Sequence, residues 1–150
     1  MVTFDLGLLA DNAHVDPSGK LYVLGEFRYI FAPTVPARHG HFAVVARWFA
    51  ETIEVQGKQN VVQLEIVELD GVPILPRSPK IPVNFVPVGP LERGKSQAQL
   101  ILNLDGLILP KYGDYAIHFF VNDAYADKVN FHVAPRPGGT PPAAVPDAGE

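Results

Sequence analysis

The side chains best equipped for chemistry in this 150-residue chain are its five histidines. His39 and His41 stand in ARHGHF (37–42), and an H-x-H pair can chelate a metal when both rings leave a strand on the same side. A third ligand is needed, and no acid lies close in sequence, so the two are read as solvated loop residues. His118 and His132 form a second pair. If the last two strand-like runs make a hairpin centred near residue 125, these imidazoles fall nearly opposite one another. Directly opposed residues have Cβ atoms about 4.5–5.5 Å apart, close enough to share a metal or a proton. Two close imidazoles resist charging together, so a pH-sensitive surface is the simpler expectation and no metal site is assigned.

The remaining reactive side chains offer less. Glu51, Glu54, Glu65, Glu68 and Asp70 alternate faces and are separated by turns, so they read as solvated strand edges, not as a catalytic carboxylate pair. Asp11 and Asp16 lack the spacing of a calcium loop. The serines are Ser18, Ser78 and Ser96, none in a G-x-S-x-G elbow. No dinucleotide or phosphate-cradling glycine motif is present. There are no cysteines, which removes disulfides, zinc–thiolate and iron–sulfur sites and thiol nucleophiles together. The expectation is a non-enzyme with no cofactor. Net charge is −4 without a basic stripe, so nucleic acid and lipid head groups are not expected partners.

What must position these residues is a set of strands, because apolar residues recur every second position. Leu21, Val23, Phe27 and Tyr29 make one such series; Val62, Leu64 and Ile66 a second; Ala98, Leu100, Leu102 and Leu104 a third; Val129, Phe131 and Val133 a fourth. Their polar alternates predict sheets with one wetted face. FAVVARWFA (42–50) is apolar on nearly both faces and reads as a central strand. The one helix candidate, LERGKSQAQL (91–100), is weakened by Gly94. Turn chemistry separates the strands: in VDPSGKL, Pro17 presets φ and Gly19 supplies a left-handed position, joining strands near 2–10 and 20–31. Six prolines between 73 and 90 limit that segment to an edge strand at most.

Seven or eight short strands with frequent turns predict an all-β, antiparallel sandwich over residues 1–135. RPGGTPPAAVPDAGE (136–150) has no apolar periodicity and reads as a flexible or extended tail. No run reaches the length of a bilayer-spanning helix, and the N-terminus lacks a secretory pattern. A cytoplasmic location, or one within a phage or secretion assembly, is expected.

In LPKYGDYAIHFF (109–120), Tyr115 follows Gly113 and opens a strand. This resembles the tyrosine corner of immunoglobulin-like sandwiches, in which a buried tyrosine bonds back to the upstream backbone. The resemblance implies that Trp48 is the core tryptophan of a central strand and that Ile117 replaces a disulfide cysteine. It assigns Tyr115, Trp48, Gly19 and Gly113 to architecture. Taken end to end, LLADNAHVDPSGKLYVLGEF, FAVVARWFAE, LEIVELDGVPI and LNLDGLILPKYGDYAIHFFV are similar to an uncharacterised bacterial family of unknown function, which transfers no active site.

In an immunoglobulin-like arrangement the strand of Trp48 lies beside that of Tyr115. One outer sheet face would then carry Val45, Arg47, Phe49, His118, Phe120 and His132, unless the proline-rich segment covers it. Arginine and aromatics are enriched in interface cores. That face, with the tail, is the expected contact surface for a protein partner or a second copy. The alternative is a small-ligand or carbohydrate site on the loop PTVPARHGHF (33–42), which needs an exposed aromatic platform, whereas Trp48 is expected to be buried. A metal-dependent enzyme using His118 and His132 is the third reading.

Overall fold

The alternating pattern becomes two face-packed sheets in the computed structural model, which describes residues 2–89 and 94–136. In chain order the strands are β1 (Thr3–Val15), β2 (Leu21–Phe27), β3 (Tyr29–Phe31), β4 (Ala37–Glu51), β5 (Asn60–Glu68), β6 (Pro73–Leu75), β7 (Ile81–Val83), β8 (Val86–Pro87), β9 (Lys95–Leu109), β10 (Gly113–Val121) and β11 (Ala124–Ala134). The first sheet runs β2-β1-β4-β9-β8 and the second β3-β11-β10-β5-β6, with β7 also on β5. All pairings are antiparallel except that of β3 with β11.

Seven of the eleven described strands have seven residues or more, within the seven to eight expected. The other four are edge pieces of two or three residues. The helix candidate does not form over 95–100, where β9 begins, and its start at 91–93 lies outside the described residues. A single helical turn, α1 (Thr52–Val55), occurs instead after β4. Residues 137–150, the bulk of the expected tail, also lie outside the described residues.

Local chemistry explains the turns. The Asp16 carboxylate accepts from the backbone N–H groups of Ser18 and Lys20 at 2.9 and 3.0 Å, and Gly19 adopts φ 89°. The tip of the first hairpin is thus an Asx-type turn closed by a left-handed glycine. β4 and β9 pair along their whole length, from Ala37↔Leu109 to Glu51↔Lys95. The buried positions of β9 shift from even (Ser96, Ala98, Leu100) to odd (Leu107, Leu109) across Gly106, whose φ is 69°.

Between the sheets lie Phe42, Val44, Ala46 and Trp48 from β4, Leu64 and Ile66 from β5, and Ile117 and Phe119 from β10. Trp48 is fully buried, as expected; its ring meets Phe119 edge-on at 5.5 Å and Phe4 at 6.1 Å. Tyr115 closes the core at the start of β10. Its hydroxyl donates to the Lys111 carbonyl at 2.6 Å and accepts from the Lys111 N–H at 3.1 Å. The ring stacks on Phe131 at 5.2 Å. This is the geometry of a tyrosine corner: a buried phenol bonded to backbone four residues upstream.

Residues 73–83 form a broken edge along β5. Pro73 and Leu75 pair with Val67 and Ile66, and Ile81–Val83 with Val62–Asn60. Ser78 bridges the gap, its N–H donating to Leu64 O at 2.8 Å and its hydroxyl accepting from Leu64 N at 3.1 Å. β8 then crosses to the far edge of the first sheet, on β9.

Candidate interaction surface

The two sheets divide the expected contact face. β4 is a strand of the first sheet and β10 and β11 of the second, so Val45, Arg47 and Phe49 do not share a surface with His118, Phe120 and His132. Val45 is fully buried in a second cluster with Ala13 and Ala43, flanked by Leu8, Leu21, Val23 and Ile101. The apolar residues of the β1–β2 hairpin thus cover what an isolated sheet would expose. The Arg47 guanidinium donates to Asp5 at 2.7 Å and lies 3.4 Å from the Gln99 amide oxygen. Phe49 is half-buried beside Thr3 and Gln97.

His118 and His132 do share the outer face of the second sheet, but they are not opposite one another. His118 faces Lys128 and His132 faces Asp114 across the β10–β11 hairpin. The hairpin turns at Asn122 and Asp123, with φ 50° and 72°, and not near residue 125. Lys128 and His132 are four residues apart on β11, roughly 13 Å, so the imidazoles can share neither a metal nor a proton. Each faces a carboxylate instead. His132 Nδ1 is 2.6 Å from Asp114 and His118 Nδ1 is 3.4 Å from Glu65.

At the hairpin end of this face, Phe120 is enclosed on two sides. Arg77, from the proline-rich segment, places its guanidinium carbon 3.6 Å from the ring centroid, and Tyr125 meets the ring at 6.0 Å. Tyr125, 56% exposed, also meets His118 edge-on at 5.6 Å. The proline-rich segment therefore reaches over this corner of the face and adds an arginine to it.

At the other end lies a feature that the sequence reading passed over. Tyr29 and Phe31 project from β3, 60% and 52% exposed, with rings stacked at 6.3 Å and 10° between planes. Tyr29 meets His132 edge-on at 6.0 Å. Two grooves flank β3 and share Ile30, Phe31 and His39: one of about 380 Å³, which adds Asp11, Glu26 and Tyr29, and one of about 320 Å³, which adds Thr34, Pro36 and Arg38. The signal available in sequence was Tyr29-Ile30-Phe31, where the aromatics alternate with the one residue that is buried.

The first histidine pair also separates. His41 Nδ1 lies 2.6 Å from Asp105, its partner across β4–β9. His39 packs against Phe42 and Phe27 at 5.3 and 5.9 Å. Burial holds the His39 imidazole below its ordinary pKa, with the Asp11 charge opposing that shift and His41 adding to it. Among the described residues no three or more His, Asp or Glu side chains gather as a metal-binding group. No helix among them is long and apolar enough to cross a membrane.

Fold and surface define a two-sheet, predominantly antiparallel β-sandwich with a tyrosine corner and exposed aromatics on the outer face of the second sheet. The chain belongs to DUF6941, a family of unknown function, which it matches over residues 5–134. No curated protein matches it.

Proposed function

We propose that this chain is a non-enzymatic interaction module that docks a protein, possessing its contact surface on the outer face of the second sheet. The reading is carried by the stacked Tyr29–Phe31 pair, more than half exposed on an edge strand. Rigid aromatic rings bring large contact area at little entropic cost, and aromatics with arginine concentrate in interface hot spots. His132, Asp114, His118 and Tyr125 continue the surface across the sheet, and Arg77 over Phe120 ends it.

The test is chemical cross-linking in the native cell with wild-type protein and the Tyr29→Ala/Phe31→Ala variant, after matching their melting temperatures. The expected result is a cross-linked species, whether a second copy or another protein, that the variant loses at least tenfold. Equal cross-linking by both proteins rejects this surface.

A second reading, a small-ligand or carbohydrate site, draws on one observation. Phe31 walls the groove of about 320 Å³ beside residues 33–36 and the start of β4, which takes up 37–42 of the expected loop, and it supplies the exposed ring that buried Trp48 does not. Sugar arrays probed with the same two proteins separate it from docking of a protein.

A further inference from the structure

We infer that the open edge of β2 is a self-association site, where β2 of one molecule pairs antiparallel with β2 of a second copy. β2 ends the first sheet, and among the described residues it pairs with β1 alone. The hairpin tip fixes which of its backbone groups are left over. Asp16 N–H donates to Lys20 O at 3.0 Å, and Asp16 O accepts from Gly19 N–H at 2.9 Å. Asp16 and Lys20 are therefore a hydrogen-bonded pair, and alternation along the ladder makes His14↔Tyr22 and Asn12↔Leu24 the next two. Leu21 and Val23 then turn their N–H and C=O groups away from β1, to the side that has no strand. The other described edges are poorer templates: β6, β7 and β8 each contain a proline, and β3 has three residues.

The side chains of β2 complement themselves in one register. Leu21 and Val23 pack on the second apolar cluster, whereas Tyr22 and Leu24, on the opposite face of the strand, stay 45% and 63% exposed. The Tyr22 ring is held against His14 at 4.9 Å. A two-fold axis at Val23 links that residue to its own copy through both N–H···O=C bonds. Tyr22 of each molecule then meets Leu24 of the other, and Lys20 meets Glu26, each contact occurring twice. These are non-hydrogen-bonded pairs, whose Cβ atoms approach to about 4.5–5.5 Å. Lys20 is exposed, and Glu26 lies 3.9 Å from Arg28 with both side chains in water, so each is able to swing to its counterpart. Neighbouring registers lose the match. An axis at Leu21 sets Glu26 against Asp16, and one at Gly25 sets Leu24 against Glu26. The contact uses neither Tyr29 nor Phe31, so it stands or falls apart from the docking face.

Sedimentation equilibrium of the full-length protein tests the pairing, and the expected result is a reversible monomer–dimer equilibrium. Lys20→Glu and Glu26→Lys each oppose like charges twice and should weaken the dimer about tenfold or more. The double variant restores opposite charges in exchanged positions, and its dimer should return to within about threefold of the wild type. Val23→Pro removes the outward N–H without touching a β1–β2 hydrogen bond, and should leave only monomer. If that variant melts below the wild type, the charge exchange decides alone. A wild type that stays monomeric up to about 1 mM overturns the inference. So does a dimer that the single charge changes leave intact, or one that they weaken and the double variant does not recover. A dimer lost with Tyr29→Ala/Phe31→Ala but kept in the charge variants lies on the second sheet instead, and the β2 contact is rejected.

Discussion

At the scale of single residues, Tyr115 and His39 show what burial does to a polar side chain. The Tyr115 hydroxyl is donor and acceptor to one peptide unit, Lys111, and burial pushes its pKa up, so it stays protonated and able to donate. Tyr115→Phe leaves both Lys111 groups without that partner, and we expect a loss of about 1–2 kcal/mol, read by chemical denaturation. A variant as stable as its parent would deny the corner its structural role. For His39, the unfolded chain takes up a proton near pH 6.5, whereas burial makes the same proton harder to bind in the fold. Between those two points the unfolded state holds more protons. Its contribution to stability is therefore complete above about pH 6.5 and is lost as pH falls through the folded value. Melting curves taken between about pH 7.5 and about pH 5 should fall less steeply for His39→Gln than for the wild type. Tyr115 was legible because a glycine–acid–tyrosine entry to a strand is a local pattern. The acid partners of His41, His118 and His132 were not, since each arrives from another strand: Asp105, Glu65 and Asp114.

Among the elements, the β10–β11 hairpin shows where sequence reasoning slipped. Alternation placed His118 and His132 on the correct face, because facing depends only on parity. Their pairing depends on the turn, and Asn122-Asp123 is a two-residue loop of the kind that tolerates positive φ. Taking that dipeptide as the turn brings His132 to within one residue of its partner, and the β-bulge between Phe119 and Phe120 shifts the register the last step, from Gly113 to Asp114. The turn is also anchored sideways. Buried Asn60 donates to Val55 O at 3.1 Å and accepts from the Asn122 amide at 2.9 Å, while Asn122 Oδ1 accepts from Val61 N at 3.0 Å. Asn60→Ala strips the partners from both α1 and the hairpin turn, and should cost about 2–3 kcal/mol in denaturant titrations. Close packing predicts a similar cost at Gly7 on β1, where an added Cβ would collide with Phe4 and Val129. Gly7→Ala should lose about 1–3 kcal/mol by the same measurement, and a neutral result would mean that Phe4 can move aside.

For the whole molecule, the sheets are assembled from strands far apart in sequence: β4 lies against β9, β5 against β10, and β3 against β11. Such pairings close long loops before they are rewarded, so refolding from denaturant should take roughly milliseconds to seconds in stopped-flow fluorescence of Trp48. Complete recovery within microseconds would mean that these long-range pairings do not limit folding. The sandwich class was legible from period-two alternation. The assignment of strands to sheets was not, since FAVVARWFA reads as a central strand without saying whose neighbour it is, and that choice separated Val45, Arg47 and Phe49 from the rest of the expected face. The two flanks also differ. Proline-bearing β6, β7 and β8 line one side of both sheets, while β2 and β3 line the other. Proline cannot donate to a ladder, so growth by edge pairing has a single permissive side. On the proline-bearing side a newcomer's carbonyls would meet Pro73, Pro82 and Pro87, which have no N–H to offer.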